Sequence, residues 1–64
     1  MKNFLKWLNR NKIDYELYDK TGGGYIAFML PENELKVRNY IKRSESNLKL
    51  EFTAHYTWLK VWEE

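Results

Sequence analysis

The stretch that most limits what this chain can fold into is Leu48 to Trp62, LKLEFTAHYTWLKVW. Its first half alternates with period two: Leu48, Leu50, Phe52 and Ala54 share one parity, and Lys49, Glu51, Thr53 and His55 the other. That is how a strand with one buried and one wet face is written. Past Ala54 the pattern changes, because Tyr56, Trp58 and Trp62 keep one parity while Leu59 and Val61 take the other. A strand apolar on both sides needs cover on both. Either Trp58 and Trp62 pack beneath the protein's first helix, or they are displayed to a partner.

With 64 residues the chain is expected to form one domain, 1–64, of a size that buries only about 60% of its unfolded surface. There is no cysteine, hence no disulfide framework and no thiolate zinc site, which fits a reducing cytoplasm. Cohesion must come from three Trp, five Tyr and three Phe, each able to bury roughly 150–250 Å². That is enough aromatic surface to expect some of it outside. No apolar run approaches the ~20 residues of a membrane span. The opening MKNFLKWLNRNK carries charges through its apolar positions, unlike a secretory leader. The expected location is cytoplasmic, with no membrane partner.

Taken in order, Trp7, Phe4, Leu8 and Leu5 fall on one arc of a helix over about Asn3–Asn11, opposite Lys2, Lys6, Asn9 and Arg10. Asn3 suits its N-cap and Asn11 the left-handed position after its end. Ile13, Tyr15 and Leu17 then alternate with Asp14, Glu16 and Tyr18, DKTGGG interrupts, and Tyr25–Leu30 runs as a nearly continuous apolar strand. Gly22, Gly23 and Gly24 read as a hairpin tip. A phosphate loop would need Lys and Ser or Thr after the glycines and then a helix.

Pro31, with Glu32 and Glu34 early and Lys42 and Arg43 late, predicts a helix over about Glu32–Arg43. Val37, Tyr40, Ile41 and Ser44 form its narrow face and Leu35 lies outside. An edge strand through Leu35, Val37 and Ile41 is the competing reading. The aromatic run supplies two strands, Leu48–Thr53 and Thr57–Glu63, turning near Ala54–Tyr56 without a glycine. A single bulged strand or a short terminal helix is the alternative there. The order α-β-β-α-β-β predicts an α+β fold, a small two-layer domain with an antiparallel sheet of about four strands and two helices.

A helix, a strand, a glycine turn and an apolar strand also open the small RNA-cleaving toxins with a double-stranded-RNA-binding-like fold, which the first part of this chain resembles in architecture. In those toxins a catalytic His follows the glycine turn. Here GGGYIAF stands in its place, and the later element order departs from theirs, so the resemblance covers under half of the chain and implies no activity.

Charge is distributed in blocks. Residues 1–13 carry Lys2, Lys6, Arg10 and Lys12 without an acid, and 35–49 carry Lys36, Arg38, Lys42, Arg43 and Lys49 against Glu45. Between them, 14–34 are acidic, and the whole sums to +2. Such blocks mostly serve solvation and helix dipoles. His55 is the only histidine, on the wet parity, with no spacing that selects Ser44, Ser46, Thr53 or Thr57 as a nucleophile. The acid pairs Asp14 with Glu16 and Glu32 with Glu34 make no metal cage. The expectation is therefore a non-enzymatic protein without cofactor or metal.

Two binding readings follow. In the first, Tyr56, Trp58 and Trp62 with the basic Arg38, Lys42, Arg43 and Lys49 engage a protein partner or a second copy, as an inhibitor or regulator that occludes a host protein in the manner of phage or mobile-element accessory proteins. In the second, the basic residues contact phosphates while exposed aromatics stack on bases. The modest net charge and the lack of an RNA- or DNA-binding signature count against the second reading.

Overall fold

The chain begins in helix α1, Lys2–Arg10, which buries Phe4 and Leu8 one turn apart. It starts one residue before the expected position, with Met1 rather than Asn3 at the N-cap and no side-chain cap. The α-amino group of Met1 pairs with the Glu63 carboxylate at 2.7 Å, so the first turn is tied to the last strand instead. At the other end Asn11 stays near the bridge region, at φ −92° and ψ 7°. Lys12 takes the left-handed position at φ 56°. The reason is the burial of Ile13. Its N–H donates to the Leu8 carbonyl at 3.0 Å, and that of Lys12 to the Asn9 carbonyl at 3.1 Å. This is the two-bond Schellman closure that sets the residue after it against the helix. Ile13 and Leu8 both belong to the core.

Strand β1, Glu16–Asp19, and strand β2, Tyr25–Met29, form the expected hairpin. The turn between them closes through Gly23 N–H to Lys20 C=O at 2.9 Å and Lys20 N–H to Gly24 C=O at 3.0 Å. Gly22 to Gly24 all have φ near +90 to +110° (93°, 109°, 87°), where a side chain is strained.

Leu30 is extended, as a residue before proline prefers. Pro31–Asn33 form a single 3₁₀ turn that leads into helix α2, Glu34–Ser44. The segment read alternatively as an edge strand is thus helical. Val37 is fully buried while Leu35 is 70% exposed, as the helical wheel implied.

Strand β3, Leu48–Phe52, and strand β4, Leu59–Glu63, complete the chain. They are joined by a turn without glycine, in which His55 and Tyr56 both take positive φ, 60° and 56°. Thr53 holds the turn together: its N–H donates to the Trp58 carbonyl and its Oγ1 accepts from the Trp58 N–H, both at 2.9 Å.

The computed structural model describes residues 1–64 as a two-layer α+β domain whose four strands run in the order β1-β2-β4-β3, every neighbour antiparallel. β4 is therefore central and enters between β2 and β3. The core lies between the inner sheet face (Ala27, Met29, Leu48, Leu59, Val61) and the helices (Phe4, Leu8, Val37), with Ile13. Phe4, Trp7 and Tyr40 close the space between the helices, with ring centroids 4.7 to 6.0 Å apart. No helix is long and apolar enough to cross a membrane.

Candidate binding face of the sheet

Period two decides what the sheet presents on each side. Leu59 and Val61 are sealed, so Trp58, Lys60 and Trp62 leave β4 on the side away from the helices. On β2, Ala27 and Met29 are buried and Ile26 and Phe28 point outward. The register sets these against one another across the strands. Tyr18, Ile26, Trp62 and Lys49 form one row, and Glu16, Phe28, Lys60 and Glu51 the next. Trp58 lies one step beyond the second row.

The result is a continuous outer patch. Tyr18, 53% exposed, meets Phe28 edge-on at 5.5 Å. Trp58, 40% exposed, joins Tyr18, Ile26 and Phe28 around an open depression of about 450 Å³. The Lys60 ammonium stands 5.1 Å from the Trp62 ring centroid and 3.5 Å from the Glu51 carboxylate. A cation held this way is attracted by the ring's negative face. Neither Trp58 nor Trp62 packs beneath α1; the indole on the helix side of the sheet is Trp7 of α1 itself, stacked with Phe4 and Tyr40.

The residues singled out from the sequence are thus divided. Trp58, Trp62 and Lys49 share the outer face, Lys49 directly opposite Trp62. Tyr56 is 71% exposed but stands at the β3–β4 turn, its ring edge-on to Phe52 at 5.0 Å. Arg38 and Lys42 lie on α2 in the other layer and meet Lys49 around a shallow groove of about 240 Å³ floored by Ile41, Leu48 and Leu50. Arg38 is paired with Glu34 at 2.6 Å. Arg43 is exposed on α2 and does not line that groove. Sequence reasoning missed Tyr18, Ile26 and Phe28. The signal for Ile26 and Phe28 was present in Tyr25–Leu30, which is apolar on both parities as β4 is.

Other hollows carry less. The largest, about 830 Å³, lies between α1 and the glycine turn, where Lys2, Lys6 and Lys20 are set among Glu63 and Glu64. The Lys20 ammonium donates to the Glu63 carbonyl at 3.1 Å. With both signs on its walls it presents no single-sign field to an anion. The hydroxyls of Thr53 and Thr57 are spent on the turn backbone, and no three His, Asp or Glu side chains converge as metal ligands would.

Fold and face together define a small antiparallel α+β domain with helices on one side of its sheet and an open aromatic surface on the other. Comparison of the chain with protein-family models, curated proteins and solved structures finds no match.

Proposed function

We propose that this protein is a non-enzymatic protein-binding module that acts by seating a partner on the outer face of its sheet and thereby occluding that partner's surface. The observation that carries this reading is the single patch of Tyr18, Ile26, Phe28, Trp58 and Trp62 on a face with no layer over it. Large aromatic side chains dominate the energetics of protein contacts, and a contiguous apolar patch on a small monomer commonly marks an interaction site. Charges on the face are balanced, Lys49 and Lys60 against Glu16 and Glu51, which suits a protein surface of mixed charge.

The alternative is a nucleic-acid-binding protein that stacks bases on the exposed aromatics and holds phosphates with Lys49 and the basic residues of α2, Arg38, Lys42 and Arg43. It has fewer free cations to work with, because Lys60 faces Glu51 and Arg38 faces Glu34.

The test is affinity capture with wild type, Phe28→Ser, Trp58→Ser and the helix-side control Leu35→Ser. The expected result is one stoichiometric protein retained by wild type and by the control, lost with both face variants and indifferent to nuclease. Retention of nucleic acid that falls steeply with salt, or capture that survives both face variants, would overturn the proposal.

A further inference from the structure

The two rows on the outer face are related in a way that neither row shows alone. On each strand, the residue in the first row is the chemical complement of the residue two positions away in the second: Tyr18 with Glu16, Ile26 with Phe28, Trp62 with Lys60, Lys49 with Glu51. A phenol can donate to a carboxylate, an aliphatic side chain packs on a ring, an ammonium sits over an indole, and lysine pairs with glutamate. An operation that lays one row of the face upon the other row of an identical face, each strand over its own copy, therefore satisfies every position.

A two-fold axis parallel to the sheet, perpendicular to its strands and midway between the rows performs that operation. It sets each strand over its own copy and exchanges the rows. Accepting the outer face as a protein-binding surface, we infer that its occupant is a second copy of this chain, seated across that axis.

The contact is isologous, so each complementary pair forms twice. Lys49 meets the partner's Glu51 and Glu51 meets the partner's Lys49. Lys60 of each copy covers the partner's Trp62, and Ile26 packs on the partner's Phe28. Trp58, beyond the second row, passes the partner's Trp62 toward its Glu64. A small rotation of the axis gives the two sheets the roughly 30° crossing of aligned sheet packing at about 10 Å separation.

Within one chain the same chemistry is already rehearsed. Tyr18 Oη approaches the Glu16 carboxylate at 3.5 Å and Lys60 stands over Trp62, so association needs only that these groups turn from their own strand to the partner's.

The competing closed arrangement, a two-fold along the strands, lays β1 over β3. It sets Glu16 against the partner's Glu51, like charge on like, and Phe28 against the partner's Lys60. Opposed like charges in a contact select against that arrangement.

The face measures about 15 Å across the strands and about 17 Å along them. This is less than the roughly 800 Å² per partner of a standard stable interface, so the dimer forms and dissociates with concentration. Self-association through this face and capture of another protein on it exclude each other.

Sedimentation velocity over a concentration series tests the axis. Wild type should pass from monomer to dimer. Lys49→Glu and Glu51→Lys, at exposed positions outside the core, each bring like charges together twice and should weaken self-association at least tenfold. Mixed in equal amounts, the two variants regain both pairs. The glutamate introduced at position 49 of one chain meets the lysine introduced at position 51 of the other, and the unchanged Glu51 of the first meets the unchanged Lys49 of the second. The mixture should associate at least tenfold more tightly than either variant alone.

A monomer at every concentration, a mixture no tighter than its components, or a Glu51→Lys chain that associates more tightly than wild type, as the axis along the strands requires, would each overturn the inference. Should either variant fail to fold, zero-length carbodiimide crosslinking of mixed ¹⁴N and ¹⁵N wild-type protein should join Lys49 of one copy to Glu51 of another; crosslinks confined to one isotope label would overturn it equally. A strictly monomeric protein whose face variants still lose a captured protein would sink the dimer alone. Face variants that capture normally would sink the binding surface itself.

Discussion

Leu59 and Trp58 are neighbours on or beside β4 whose side chains leave the backbone on opposite sides, so truncating each to alanine separates core from face. Leu59 has 0% of its surface exposed and stands opposite Met29 on β2 and Phe52 on β3. Removing a fully buried leucine costs about 2–5 kcal/mol, more where the site cannot collapse. A central strand flanked on both sides is such a site. A chain of this length is expected to hold only about 3–10 kcal/mol in total, at roughly 0.05–0.15 per residue, so Leu59→Ala should remove half or more of it. The melting temperature should drop by at least about 10 °C, taking roughly 4–8 °C per kcal/mol for a domain of this size.

Trp58→Ala deletes a larger side chain, yet one that packs on the outer side with 40% of its surface already in water. It should cost about 1–2 kcal/mol, less than Leu59→Ala, because the part of the ring already in water loses nothing. The assay is thermal and urea unfolding followed by far-UV circular dichroism, which does not depend on the deleted indole. Equal losses for the two variants would refute the division of the sheet into a core side and a binding side, and with it the proposed function.

Three further outcomes follow from local backbone and side-chain chemistry. Lys12→Gly and His55→Gly, both at left-handed positions, should each stabilise the fold by about 0.5–1 kcal/mol by removing a Cβ that strains there; a loss of stability in chemical denaturation would contradict the geometry. Gly23→Ala, at φ 109°, should lower stability by about 1–2 kcal/mol although nothing lies within 4 Å of the added carbon, because the cost is in the backbone; a neutral result would mean the turn is not so bent. Ser46→Ala removes a buried hydroxyl without a hydrogen-bond partner and should be neutral or slightly stabilising in the same melts, whereas a loss above about 1 kcal/mol would reveal a partner the hydroxyl has in solution.

The element order was readable because it is written in periods. Phe4 and Leu8 at helical spacing, Leu48, Leu50 and Phe52 in alternation, and the proline and glycines between elements all act locally. Cap positions moved by one or two residues because tertiary contacts chose them: the Met1–Glu63 pair put the N-cap at Met1, not Asn3, and the burial of Ile13 put Lys12, not Asn11, in the left-handed conformation. The basic residues Arg38, Lys42 and Arg43 were grouped with the tryptophans because charge has no period to say which layer it joins. Only Lys49, fixed by strand parity, lies with Trp62. Strand order is non-local, yet a trace of it was available. The two strands apolar on both parities, β2 and β4, are the two at the centre of the sheet, and the alternating β1 and β3 are its edges.

The open outer face goes with the side on which the two helices pack. Two helices of 9 and 11 residues span about 14 and 17 Å at 1.5 Å per residue, enough to cover one side of a four-stranded sheet whose strands are 4 or 5 residues long. Both helices are drawn to that side, because Phe4, Leu8 and Val37 need the small and aliphatic floor that Ala27, Leu59 and Val61 provide. Rings needed only for folding would have been placed on the helix side, where Phe4, Trp7 and Tyr40 already fill the space between helices. Tyr18, Ile26, Phe28, Trp58 and Trp62 instead sit on the side that neither helix covers. A partner seated on that face, as proposed, would bury these rings beside a mixed set of charges, Lys49 and Lys60 with Glu16 and Glu51.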